Sequence, residues 1–206
     1  MKKAMTWLAT LATVATGMAT ATQASAATSA WEFQPEGVAG RNCFDDDSVH
    51  TRVDQGGQRV RWEFDNLLVK NGPKLGGRGS CEARFSISGR KGWSYALRSF
   101  RVEGIADVPR NSTAQVQYHV AQVFGKTDAT AQVAFRERYL GALPTKVTLD
   151  RLVFSPCDGQ VDNLALGADL LIRPAEAEPA NTYLAIGAIQ VTPQDLVWRR
   201  CARSAS

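Results

Sequence analysis

Residues 80–104 read SCEARFSISGRKGWSYALRSFRVEG. Cys81, Ala83, Phe85 and Ile87 alternate with Glu82, Arg84, Ser86 and Ser88, a period of two that predicts a strand with its cysteine on the apolar face. Gly89-Arg90-Lys91-Gly92 then turns the chain, its glycines suited to the positive φ of a tight hairpin. Trp93, Tyr95 and Leu97 resume the inward face. Phe100 and Val102 have the opposite parity, which predicts a β-bulge near Arg98-Ser99. The stretch decides for a β fold and is silent on function.

The same alternation recurs along the chain. Val60, Trp62 and Phe64 carry it within Gln58–Lys70, then Ala114, Val116, Tyr118 and Val120, and then Ala131, Val133 and Phe135 after a turn at Gly125–Asp128. Val147, Leu149, Leu152 and Phe154 lead to a turn at Ser155–Gly159. Leu164 to Ile172, Tyr183 to Val191 and Leu196 to Trp198 supply the last strands. Asn71–Gly79 and Glu176–Asn181 read as loops, and polar Trp31–Asp54 reads as a loop pinned by Cys43. No segment sustains a helical period for three turns. Short strands separated by Gly, Pro and Asn turns predict an all-β fold, an antiparallel β-sandwich of jelly-roll or immunoglobulin-like type.

The first residues read as a targeting segment. Lys2 and Lys3 precede an Ala/Thr/Leu-rich run, and Ala24-Ser25-Ala26 has the small-x-small form of a cleavage site. Residues 1–26 are therefore expected to be a signal peptide and 27–206 a single β-sandwich domain. An uncleaved membrane anchor is the competing reading, and the many threonines argue against it. No later stretch approaches the ~18 apolar residues of a membrane span. Cleavage would lower the net charge from +4 to +2. All four cysteines, Cys43, Cys81, Cys157 and Cys201, would remain, and an even count behind an export signal predicts two disulfides. Three pairings are open. Cys43–Cys81 with Cys157–Cys201 is the one expected, because it ties each half of the chain to itself. The expected location is secreted or periplasmic.

Four short contexts, Arg41-Asn42-Cys43, Gly79-Ser80-Cys81-Glu82, Ser155-Pro156-Cys157-Asp158 and Trp198-Arg199-Arg200-Cys201, occur in an order that resembles the secreted family known as domain of unknown function 4360. Gly92-Trp93-Ser94-Tyr95 and Val102-Glu103-Gly104 resemble its aromatic strand and mid-domain glycine. The chain departs from that pattern with Phe44 and three aspartates after the first cysteine, Glu103 before Gly104, and Leu164-Ala165-Leu166-Gly167 after the third cysteine. The resemblance implies an exported, disulfide-bonded β-domain and brings no activity with it.

Catalytic chemistry has little to stand on. A His-based triad has only His50 and His119 to draw on, and no Gly-x-Ser-x-Gly elbow occurs. His119 falls on the polar face of its strand. Glu63, Asp65, Glu82 and Glu103 are the carboxylates a glycosidase could pair across a cleft. Asp45-Asp46-Asp47 offers oxygen ligands of the kind calcium takes, yet lacks EF-hand spacing, so a solvated acidic loop is expected and no metal or cofactor is assigned. Asn111-Ser112-Thr113 has the form of a glycosylation sequon. Trp31, Trp62, Trp93 and Trp198 could form a sugar-stacking platform, but Trp62 and Trp93 have core parity.

Charge is more informative. Between Lys70 and Arg101 stand eight basic residues against one acid, whereas Trp31–Val69 has eight acids against four bases. Lys74, Arg78, Arg84, Arg90, Lys91, Arg98 and Arg101 are the candidate ligand-binding residues for an anionic glycan, an envelope polymer or an acidic extracellular protein. Nucleic acid is not expected, given export and the absence of a stacking motif. Three function classes follow: a non-enzymatic binding protein, which is the first expectation; a secreted glycan hydrolase with paired carboxylates; and an inhibitor of an extracellular enzyme.

Overall fold

The computed structural model describes residues 31–43, 48–54, 56–70, 77–88, 92–110, 112–122, 128–136, 138–157, 163–173 and 182–202. The leader expected over residues 1–26 and the Asp45–Asp47 loop lie outside them. The strands in chain order are β1 (Glu32–Ala39), β2 (Val49–Val53), β3 (Val60–Phe64), β4 (Leu68–Lys70), β5 (Arg78–Ser88), β6 (Trp93–Leu97) and β7 (Ser99–Val108). They continue as β8 (Thr113–Gln122), β9 (Asp128–Phe135), β10 (Tyr139–Ala142), β11 (Lys146–Thr148), β12 (Asn163–Arg173), β13 (Tyr183–Val191) and β14 (Leu196–Arg200). One sheet has five strands in the order β1-β5-β12-β8-β9. The other has seven, with the path β10-β7-β13-β3-β2 and with β11 on β7 and β4 on β13. A β14-β6 ribbon completes the fold, and the pairing is antiparallel throughout. The expected antiparallel β-sandwich is the observed architecture.

The inward rows make the core. Phe85 of β5 is fully buried, with its ring 5.3 Å from Trp62 of β3 in the opposite sheet and 5.6 Å from Phe33 of β1. Phe100 of β7 meets Tyr118 of β8 at 5.3 Å, edge to face, across the same interior. Leu164, Leu166, Leu170 and Ile172 from β12 face Leu184 and Ile186 from β13 within one cluster. Burying each such side chain stabilises by about 1.5–3 kcal/mol. The Tyr118 hydroxyl has no partner among the described residues, and burial pushes its phenol well above the usual range. Tyr118→Phe is therefore expected to raise stability by about 1 kcal/mol, read from the urea midpoint, because it removes an unpaired buried hydroxyl and keeps the ring.

Residues 80–104 form strands as predicted but not a hairpin. β5 lies between β1 and β12, while β6 pairs with β14. By Gly92, which has φ +78° and directly precedes β6, the chain has left the five-stranded sheet. The parity change at Arg98-Ser99 is a corner between β6 and β7 rather than a bulge within one strand. It is fixed from far away in sequence. Buried Asp195 accepts a hydrogen bond from the Ser99 hydroxyl at 2.6 Å, and its carbonyl accepts from the Arg98 amide at 2.8 Å.

Polar Trp31–Asp54, expected as a loop, contains β1 and β2. A register shift between Pro35 and Gly37 breaks the alternation in β1, and β2 buries Val49 alone, so neither shows a clean period of two. The disulfides are Cys43–Cys81 and Cys157–Cys201, the pairing expected, each with Cα atoms 5.7 Å apart. They close loops of 38 and 44 residues, worth about 4 kcal/mol each by the chain-entropy argument.

Candidate functional site

Two of the cysteine contexts are halves of one clip. After β1, Asn42 donates its amide to the Ser80 carbonyl and accepts the Ser80 amide at its Oδ1, both at 3.2 Å. Its Nδ2 donates to the Leu68 carbonyl at 3.3 Å, and the Arg41 amide donates to Ser80 Oγ at 3.3 Å. A Cβ on Gly79 would lie 2.6 Å from Asn42 Oδ1. Gly40 has φ +146°, and a Cβ there would lie 2.3 Å from the Ser80 carbonyl oxygen. These two glycines admit the close approach, and the Cys43–Cys81 bond covalently secures it. The clip sets Arg41 beside Arg78 at the start of β5.

From there a trough crosses the outer face of the five-stranded sheet. One cleft of about 310 Å³ is lined by Arg41, Arg78, Ser80, Gln117 and Asp169 together with Gln115 and Leu171. A second of about 250 Å³ shares Gln115 and Leu171 and adds Gln132, Ala134, Arg136 and Arg173. The register explains the continuity, since Arg78 is opposite Leu171, Leu171 opposite Gln115, and Gln115 opposite Ala134. Three strand spacings make the row roughly 14 Å long. Among the described residues none of Arg41, Arg78, Arg136 and Arg173 is ion-paired. Asp169 is the carboxylate in the lining, and its Oδ2 lies 3.5 Å from His119 Nδ1.

The neighbouring row is occupied by its own charges. His119 lies over Gly167, where a Cβ would be 2.2 Å from the imidazole, and its Nε2 is 3.8 Å from Glu82 Oε2. Arg84 donates to Glu82 Oε1 at 2.9 Å. Pairs this exposed contribute little to stability.

The structure divides the basic set singled out from the sequence. Arg78 and Arg84 point outward from the five-stranded sheet. Arg101 lies on β7 in the other sheet, opposite Lys146 and Gln190, and Arg98 at the corner donates to the Gln194 carbonyl at 2.9 Å. Lys74, Arg90 and Lys91 lie outside the described residues. Arg41, Arg136 and Arg173 were not singled out, because they stand on segments far apart in sequence. The outward parity of Arg173 at the end of β12, and of Arg136 just past β9, was the available signal for those two.

Part of the outer face of the seven-stranded sheet is neutralised instead, although Arg101 and Lys146, opposite one another on β7 and β11, are not ion-paired among the described residues. Arg52 reaches Glu63 at 3.0 Å, Arg61 reaches Glu63 at 2.9 Å, and both Arg61 terminal nitrogens donate to Glu103 at 2.7 Å. An apolar cleft of about 320 Å³ beside them is lined by Leu68, Ile105, Tyr183 and Ala185 and includes Asp65 and Glu103. The Arg61 hydrogen bonds hold the Glu103 carboxyl below the usual carboxylate range, opposite to what a general acid needs. A depressed pKa gives stability that is present above the ordinary carboxylate value and lost as pH falls through the folded one. Glu103→Gln is accordingly expected to flatten the acid limb of the stability–pH profile below about pH 4, measured by urea unfolding across pH. Among the described residues no group of His, Cys, Asp and Glu could hold a metal ion, and no helix is long and apolar enough to cross a membrane.

These features define a small β-sandwich domain, stapled by two disulfides suited to an oxidising compartment, with a cationic trough on one sheet. The chain belongs to the family described as Domain of unknown function (DUF4360), which it matches over residues 36–201, a span that contains all four cysteines. No curated protein matches it. Among solved structures it is similar to TmCBM61 in complex with β-1,4-galactotriose, at 12% identity, covering 82% of this chain and 88% of that one, with a TM-score of 0.30. It is also similar to a protein from a study of carbohydrate-binding modules of the β-sandwich superfamily, at 13% identity, covering 78% and 57%, with a TM-score of 0.25.

Proposed function

We propose that this is an exported, non-catalytic domain that binds an acidic glycan of the cell envelope or extracellular space along the trough of the five-stranded sheet. The observation that carries the reading is the trough on the five-stranded sheet, where unpaired arginines and amide side chains line one continuous row. Four arginines, unpaired among the described residues, line it, whereas on the other sheet Arg52, Arg61, Glu63 and Glu103 neutralise one another and Arg101 and Lys146 line none of the three clefts described. Guanidinium groups bind carboxylates or sulfates through paired N–H donors, with a geometric match that lysine lacks. Gln115, Gln117 and Gln132 supply amide donors and acceptors for hydroxyls, and Leu171 offers the apolar contact that a sugar ring's C–H face needs. Arg78 and Arg84 are the part of the sequence-derived basic set on this face. The leader read over residues 1–26 and the two disulfides support export.

The test is titration of the oxidised protein with polygalacturonate and with neutral dextran at low and high salt. Binding of the acidic polymer that weakens with salt, with none to dextran, is the expected result. Equal binding to both polymers, or binding indifferent to salt, would refute it.

A further inference from the structure

The row beside the trough holds an imidazole between two carboxylates. Gly167 of β12 stands opposite Glu82 of β5 on one side and His119 of β8 on the other. With no side chain at Gly167, the imidazole lies across β12 and its two nitrogens face different acids. Nδ1 is 3.5 Å from Asp169 Oδ2, and Nε2 is 3.8 Å from Glu82 Oε2. Glu82 already shares its other oxygen with Arg84 at 2.9 Å. From β9, Thr130 stands opposite His119, with Asp150 hydrogen-bonded to Thr130 and Arg151 3.9 Å from Asp150. Asp169 differs from these acids because it lines the trough with Arg41 and Arg78. Among the described residues, His119 is its one charge partner within 4 Å.

We infer that His119 sets the pH dependence of the trough, which holds an acidic glycan more tightly when the imidazole carries its proton. The inference rests on the reading of the trough given above. With the imidazole neutral, Asp169 presents an uncompensated negative charge to a polyanion lying along Arg41, Arg78 and Gln117. A proton on His119 places a positive charge beside Asp169 and Glu82 at once and offsets that repulsion. Histidine is the side chain whose charge changes between roughly pH 5 and 8, whereas carboxylates ordinarily titrate near about pH 4. A bound polyanion favours the protonated imidazole, so affinity rises as pH falls through the histidine range. The chain's other histidine, His50, is on β2 of the opposite sheet beside Asp65, and provides the control.

Titration of the oxidised protein with dextran sulfate, whose sulfates stay ionised throughout, tests it at about pH 5.5 and about pH 8 in low salt. The unaltered protein and His50→Gln are expected to bind about fivefold more tightly at the lower pH. His119→Gln is expected to bind at both pH values as weakly as the unaltered protein does at the higher one. Asp169→Asn, which removes the repelling charge, is expected to tighten binding at the higher pH. Thermal melts check that each variant is folded. A pH step that persists in His119→Gln, no gain for Asp169→Asn, or an unaltered protein that binds equally at both pH values would overturn the inference and leave the trough reading in place. Absence of binding at either pH would overturn both.

Discussion

Phe85→Ala is expected to destabilise the domain by about 3–5 kcal/mol, a large share of the roughly 5–15 kcal/mol that holds a domain of this kind together. The ring is fully buried and is the point where Phe33, on the neighbouring strand, and Trp62, from the opposite sheet, converge at 5.6 and 5.3 Å. Alanine would leave a cavity between two sheets whose strands are tied by long-range pairing, with little freedom to collapse into it. Trp93→Ala is the contrasting change. Trp93 is only half-buried, with the Arg200 guanidinium 5.4 Å above its ring, and is expected to cost less than half as much. Urea denaturation of both variants, with the disulfides intact, measures the difference. A Phe85→Ala midpoint close to the unaltered protein's would mean that the sheets are not held at this point.

The double change Arg78→Glu with Arg173→Glu is expected to weaken binding of an acidic polymer about a hundredfold and leave the melting temperature nearly unchanged. Hydrogen bonds to charged groups contribute roughly 1.5–3 kcal/mol each, and about 1.4 kcal/mol is a factor of ten, so losing two such contacts is enough. Both side chains are exposed on the sheet's outer face, without ion pairs among the described residues, so reversing them breaks no internal contact. Arg84→Glu should have a smaller effect on binding, because Arg84 is engaged with Glu82. Calorimetric titration beside thermal melts reads both quantities. Equal losses for Arg84→Glu and the double change would point to bulk charge rather than to the trough.

The inward rows were legible wherever the alternation ran clean. Val60-Trp62-Phe64, Cys81 to Ile87, Ala114 to Val120 and Leu164 to Ile172 bury as their parity required, because one sheet face meets the core and the other meets water. β1 was missed because Pro35 and Gly37 interrupt its pattern, and β2 because an edge strand needs only one buried side chain. Periodicity also cannot say which strands pair. β6 therefore looked like the hairpin partner of β5, although its ladder partner β14 lies about a hundred residues on. The basic run between Lys70 and Arg101 is a density along the chain, and the topology distributes its described members over two sheets. The trough is assembled the other way, from single arginines on β5, β12, the end of β9 and the clip after β1, which no local window brings together. The clip itself was visible as two cysteine contexts. Its reason, an asparagine side chain bonding across two glycines, needed the fold.

The most direct test of the account is a chemical-shift map of the oxidised, isotope-labelled protein titrated with an acidic oligosaccharide. The expected result is that shifts concentrate on the amides of Gln115, Gln117, Gln132 and Leu171 and on the guanidinium signals of Arg41, Arg78 and Arg173, with the seven-stranded sheet unmoved. Shifts centred on Ile105, Tyr183 and Ala185 around the apolar cleft would contradict it and place the ligand on the opposite face.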